Sequence, residues 1–196
     1  MSIDSFLYSR GFTVGEGHCQ CCLPQVYDLI AITSNSNINI LEIGFNAGHS
    51  SQVFLQTNST CKVTSFDLGS HLYVTVAKEY IDMNFPNRHT LILGDSRETI
   101  PKYIAQNKDT KFDIIFVDGG HDYDVVKSDL ENCMHLAHKN TIVILDDTIF
   151  TPGWEAFYTV GPTRTWKEHV EQKKITELVK KDYSPGHGMV WGKYNV

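Results

Sequence analysis

Ile38-Asn39-Ile40-Leu41-Glu42-Ile43-Gly44-Phe45-Asn46-Ala47-Gly48-His49-Ser50-Ser51 takes an apolar, strand-like run into an acidic residue, two spaced glycines and a hydroxyl-rich helix start. Glycine at 44 and 48 lets backbone approach a ligand where a Cβ would collide, and a helix beginning near Ser50 leaves unpaired N–H groups at its start. The stretch therefore reads as a nucleotide-type cofactor loop, against the simpler reading of a glycine-containing strand-to-helix turn. Glu42 sets the sign of the pocket. A dinucleotide fingerprint needs G-x-G-x-x-G and puts diphosphate on the helix N-terminus, where a carboxylate two residues before the first glycine repels it. A cationic ligand suits this loop better.

Outward from that loop, apolar runs recur at Lys62 to Phe66, Thr90 to Leu93, Phe112 to Val117 and Thr141 to Leu145. Between them the pattern predicts helices over Ser50 to Leu55, Tyr73 to Met83, Arg97 to Ala105 (capped by Ser96) and Tyr123 to His135. Such alternation implies a parallel sheet with helices on both faces. The rhythm changes at Thr148 to Thr165, where Pro152, Gly153, Gly161 and Pro162 among aromatics predict a long irregular loop. A helix over Trp166 to Lys173 follows. Ile175 to Lys180 and Met189 to Tyr194, joined through the tight turn at Ser184 to Gly188, read as antiparallel strands. Residues 1–37 form an N-terminal cap with a helix over Leu23 to Ile32, and 38–196 the main part of the same domain.

With 196 residues, one domain is expected. A net charge of -6 excludes a phosphate-backbone binder, which needs clustered Lys and Arg, so nucleic acid is not an expected partner. No apolar run reaches the length of a membrane span, and Met1 to Phe12 lacks the halves of a secretion signal, so a cytoplasmic protein is expected. Cys19, Cys21, Cys22, Cys61 and Cys133 are odd in number and crowded, poor material for disulfides. The single C-x-x-C has no second pair to complete a zinc site. The chain is compatible with a homo-oligomer.

Ligands of open parallel sheets gather beyond the carboxyl ends of the strands. Here those ends are acidic: Glu42, Asp67, Asp95, Asp118 and the pair Asp146-Asp147. Asp67 has the position that accepts hydrogen bonds from a ribose diol. Asp118, Asp146 and Asp147 are brought to neighbouring strand ends, where three carboxylates repel unless a cation sits between them; oxygen ligands of this kind suit Mg²⁺.

The pattern E-x-G-x-x-x-G-x-S at Glu42 to Ser50 resembles motif I of the class I S-adenosylmethionine-dependent methyltransferases, and the terminal hairpin extends the resemblance over about residues 38 to 194. It implies an α/β, Rossmann-like fold with a mostly parallel seven-stranded sheet ending in an antiparallel hairpin. It also implies that Glu42, Gly44, Asn46, Gly48, Ser50, Asp67, Asp95, Ser96 and Asp118 line the cofactor site. Glu42 and Gly44 would serve the methionine end, and Gly94-Asp95-Ser96 the adenine. Asp118-Gly119-Gly120-His121-Asp122-Tyr123 matches the D-G-x-H-x-Y of the metal-dependent sugar O-methyltransferases of macrolide biosynthesis and macrocin-type relatives. That resemblance implies metal ligation by Asp118, Asp146 and Asp147, a general base in His121, and methyl transfer to a hydroxyl of a small acceptor, a sugar first. Asp146 departs from it, since a glutamate occurs there in the sugar enzymes. A catechol-like acceptor, a non-catalytic cofactor-binding module and a nicotinamide oxidoreductase are the alternatives. Trp154, Phe157, Tyr158, Arg164 and Trp166 are candidates for the acceptor wall or for a core or lid cluster, Arg164 either gripping an acidic substrate or pairing with a surface acid, and His49, His71, His169 and His187 read as surface residues.

Overall fold

The computed structural model describes residues 1–15, 17, 22–35 and 37–196. Alternation within the strands builds two apolar layers. In each pair of neighbouring positions one side chain goes to each face: Ile40 against Leu41, Ile114 and Phe116 against Ile115 and Val117, Ile144 against Val143 and Leu145. A sheet apolar on both faces must be covered on both.

Strands β1 (Asn39–Ile43), β2 (Lys62–Asp67), β3 (His89–Leu93), β4 (Phe112–Val117) and β5 (Ala137–Asp146) run parallel. The hairpin β6 (Ile175–Ser184) and β7 (His187–Tyr194) adds two antiparallel strands, giving the order β3-β2-β1-β4-β5-β7-β6. The order runs outward from β1 in both directions, so the connection reverses between β1 and β4 and opens a crevice at their carboxyl ends.

Helices α1 (Ile3–Ser9), α2 (Leu23–Thr33), α3 (His49–Thr57) and α4 (Tyr73–Asn84) supply one layer, through Ile3, Leu7, Leu29, Phe54, Ala77 and Ile81. Phe54 meets Phe116 edge to face at 5.6 Å, which seats α3 on β4. Helices α5 (Ser96–Gln106), α6 (Tyr123–Met134) and α7 (Val160–Glu171) supply the other, through Ile100, Leu130 and Trp166. No helix of the described residues is long and apolar enough to cross a membrane.

The expected elements are present, most with shifted ends, and four differences stand out, three of them with an identifiable cause. Helix α1 was not foreseen: seven residues give too little periodicity, although Ile3, Phe6 and Leu7 form one buried face and Ser2 caps it by accepting the Ser5 amide. Helix α5 is capped by Asp95 and not by Ser96, because the Asp95 carboxylate accepts the Arg97 amide at 2.9 Å. Helix α7 begins at Val160, so the loop before it is shorter than expected. Its Pro162 lies in the first turn, where a missing N–H costs nothing. Strand β5 begins at Ala137, four residues early. Cys22, Cys61 and Cys133 are free thiols, while Cys19 and Cys21 lie outside the described residues.

Candidate active site

One row beyond the registered residues Ile43, Phe66, Val117 and Leu145 come Gly44, Asp67, Asp118 and Asp146, so the parallel register alone sets these residues on one rim. Gly44 has φ 94°, and a Cβ there would collide with the carbonyl oxygen of Asp118. Glycine is therefore what allows the β1 and β4 ends to lie together. The loop turns through Asn46 (φ 47°) and Gly48 (φ 78°), which begins α3.

Asp67 faces this loop. Its Oδ2 accepts the amides of Phe45 at 3.0 Å and Asn46 at 2.8 Å, and Oδ1 accepts that of Gly69 at 2.7 Å. Asn46 accepts the Tyr73 hydroxyl at 2.6 Å, which fastens the loop to α4. Glu42 lies beneath, fully buried, and does not open to the crevice. Its carboxylate accepts hydroxyls from Ser50, Ser51 and Ser65, each at 2.5 Å, tying β1 to the first turn of α3 and to β2. Burial raises the Glu42 pKa, and the three hydroxyls oppose that rise. His89 stands behind Ser65 with Nε2 at 2.9 Å. Since the Ser65 proton goes to Glu42, His89 donates from Nε2 and carries no proton on Nδ1. Burial lowers its pKa to about 3.

At the end of β3 the Asp95 carboxylate binds Arg97 through backbone and guanidinium, and those hydrogen bonds lower its pKa to about 2. Behind this turn is Asp129 of α6, wholly buried and lifted to about 7 by that burial, with the Ser96 hydroxyl acting the other way. Nothing in the linear order of α6 distinguishes Asp129 from a surface acid, and it was not foreseen.

The second group of acids differs. Oxygens of Asp118 and Asp147 and a ring nitrogen of His121 all lie within 4.8 Å of one another. His121 Nε2 is 2.8 Å from Asp147 Oδ2. Asp146 is turned another way: Oδ2 accepts the side-chain amide of Gln25 at 2.6 Å and Oδ1 the Asp147 amide at 2.8 Å. Burial, then the charges of Asp146, Asp147 and Glu42, raises the pKa of Asp118 well above the carboxylate range. Burial and Asp147 push Asp146 up to about 8. The charges that raise Asp118 are those of other acids, a condition under which a hard divalent cation is stabilising, with His121 in the same group.

Beyond β5, Asp182 of β6 accepts the amides of Phe150 at 3.0 Å and of Thr151, and so holds the loop over the rim. Phe157 is 91% exposed and meets Tyr158, whose ring lies 5.7 Å from that of His121. Gly161 was read only as a breaker; a Cβ there would collide with the His121 carbonyl, so it lets α7 close on the His121 loop. Of the two readings open for the aromatics, Trp166 takes the core one, buried with Nε1 donating to Glu177 at 3.0 Å. Arg164 pairs with Glu168 at 2.9 Å and covers the Tyr123 ring. His49 and His169 are buried, the first 2.9 Å from Asp4 and the second 2.9 Å from the Thr165 carbonyl, whereas His71 and His187 are exposed.

A family profile described as a methyltransferase domain matches residues 41–148. No curated protein matches the sequence. Among solved structures, the chain is similar to an O-methyltransferase from Bacillus cereus in complex with SAH, at 17% identity and TM-score 0.72 over 98% of this chain and 89% of that one. It is similar to the cofactor-bound Rv0187 from MTB, at 16% identity and TM-score 0.74 over 98% and 87%. It also resembles the apo form of a TDP-rhamnose 3'-O-methyltransferase of calicheamicin biosynthesis, at 21% identity and TM-score 0.68 over 92% and 82%. These likenesses agree with the Rossmann-like α/β fold described above.

Proposed function

From the premise that the chain belongs to the methyltransferase-domain family, we propose that it is an S-adenosylmethionine-dependent, Mg²⁺-assisted O-methyltransferase whose acceptor is a sugar hydroxyl. The observation that carries this reading is the convergence of Asp118, His121 and Asp147 on the same rim as a glycine loop gripped by Asp67.

The donor has a sulfonium and an ammonium, which suit a crevice lined by acids. Asp67 accepts the ribose hydroxyls on lone pairs left beside its contacts to the loop amides. Asp95 and the Ser96 amide would take the adenine, and Asp118 is a further residue of the proposed cofactor site. Gly44, Asn46 and Gly48 pass backbone along the methionine end, while Glu42 and Ser50 hold that backbone from beneath.

Asp118, Asp146 and Asp147 are the proposed ligand set for the ion, the first and last already converging and Asp146 engaged with Gln25. A divalent ion held by them would supply Lewis acidity that makes an acceptor hydroxyl easier to deprotonate. His121 takes the hydroxyl proton, and Asp147 at 2.8 Å stabilises the imidazolium so formed. The hydroxyl oxygen forms its bond to the methyl carbon as the carbon–sulfur bond breaks, and S-adenosylhomocysteine leaves. Orientation beside the donor with water excluded supplies much of the acceleration. Phe157 and Tyr158 present flat faces next to His121 that stack on a sugar or on an aromatic ring alike.

The test is transfer of labelled methyl from S-adenosylmethionine to a panel of sugar nucleotides and catechols, with EDTA and with Mg²⁺ restored. Turnover of a sugar nucleotide, lost with EDTA and regained with Mg²⁺, is expected. Turnover of catechols alone overturns the acceptor, and turnover indifferent to EDTA overturns the metal.

A further inference from the structure

Helix α2 lies outside the segment that the family profile matches, yet it reaches the acidic cluster. Gln25 is buried and donates its Nε2–H to Asp146 Oδ2 at 2.6 Å. The opposite oxygen of Asp146 accepts the amide of Asp147 at 2.8 Å. Asp147 has φ 53°, a left-handed conformation that a residue with a Cβ keeps only where its surroundings hold it. In that conformation its carboxylate lies 2.8 Å from His121 and in reach of Asp118.

Helix α2 is itself anchored. Asp28, one turn on from Gln25, accepts from Lys181 at 2.7 Å and from the Tyr183 hydroxyl at 2.8 Å, both on β6. Contacts therefore run without a break from β6 through α2 and Asp146 to the backbone of Asp147. Each oxygen of Asp146 accepts one amide, a side-chain amide on one and a main-chain amide on the other, and Asp146 is not among the groups that converge with Asp118 and Asp147.

We propose that Gln25 is a positioning residue: it fixes the Asp146 carboxylate so that Asp146 braces the left-handed turn at Asp147 and stands behind the metal site, leaving Asp118 and Asp147 as the carboxylate ligands. The proposal rests on the metal-site reading above and refines its ligand set. Groups behind first ligands typically change metal affinity by 10–100-fold when removed, because they set the orientation of the ligand.

The experiment is calorimetric titration of the full chain with Mn²⁺ alone, beside a titration with S-adenosylhomocysteine and a melting curve, on the wild type and two variants. Gln25→Met keeps the length of the side chain and removes the donor. We expect it to weaken Mn²⁺ binding about tenfold or more while S-adenosylhomocysteine affinity stays within about twofold of the wild type. A lower melting temperature with unchanged Mn²⁺ affinity would make Gln25 a plain packing residue and overturn the proposal. The exchange Gln25→Glu with Asp146→Asn keeps the hydrogen bond with donor and acceptor reversed, and the asparagine oxygen still accepts the Asp147 amide. Recovery of Mn²⁺ binding in that double variant, relative to Asp146→Asn alone, is expected. Failure to recover would mean that Asp146 ligates the ion directly, which also overturns the proposal, and the exchange decides the matter even if Gln25→Met does not fold. Absence of Mn²⁺ binding in the wild type would instead overturn the metal site itself.

Discussion

The acids of β1 and β2, Glu42 and Asp67, and Asp118 at the end of β4 lie near one end of the sheet and differ in how their charge is met. Glu42 receives three serine hydroxyls and Asp67 three backbone amides, so the protein itself answers their charge. At β4 and β5, burial and the charges of Asp146, Asp147 and Glu42 raise the pKa of Asp118. Compensated carboxylates shape a loop. A carboxylate raised by other acids increases the local demand for a cation, which is why the proposed metal-assisted step is placed there.

The contrast is broken most severely at His121, beside the uncompensated group. His121→Ala should lower kcat by about 10²- to 10⁴-fold, the range for a lost general base, with S-adenosylhomocysteine affinity in calorimetry unchanged. Normal turnover would dismiss His121 from the chemistry. On the compensated side, Asp67→Asn keeps one acceptor oxygen and removes the charge. A loss of about 1.5–3 kcal/mol in S-adenosylhomocysteine binding is expected, from charge-assisted hydrogen bonds alone. Unchanged affinity would detach Asp67 from the ribose.

Glu42→Gln probes the compensation itself. The amide offers one acceptor oxygen where three hydroxyls now donate, so urea unfolding should show a loss of about 1–3 kcal/mol. No loss would mean that the serines are indifferent to the charge. The smallest effect sits one layer deeper. His89 has its pKa lowered by burial from 6.5 to about 3. Its neutral form is what the fold accommodates, so its contribution is intact above pH 6.5 and is lost as the pH falls toward 3, where the unfolded chain takes a proton that the folded chain refuses. His89→Gln, which keeps a donor for Ser65, should flatten the decline of stability across that window. An identical acid limb in both proteins would remove His89 from the balance.

The parallel strands and the acid at each strand end were legible because period-2 apolar runs and the turn after each one are local features; Phe112 to Val117 was bounded to the residue. Whether an acid is compensated was not legible, since the partners of Glu42 come from β2 and α3 at separations of 8 to 23 residues. Gln25 is farther still, 121 residues from Asp146, on a helix whose sequence shows only an amphipathic face. The start of α7 illustrates the converse error: Gly161 and Pro162 among aromatics suggested a loop as far as Thr165, whereas Pro162 sits in a first turn and the helix begins at Val160, six residues before the expected Trp166. His49 and His169 were missed as buried because a histidine reads alike on either face of a helix until its neighbours are in place.

Crystals grown with S-adenosylhomocysteine and Mn²⁺ give the most direct measurement, by anomalous scattering. A peak within coordination distance of the Asp118 and Asp147 carboxylates, next to the sulfur of the bound product, is expected. A peak at some other place, or none at saturating Mn²⁺, contradicts a metal-assisted transfer at this rim.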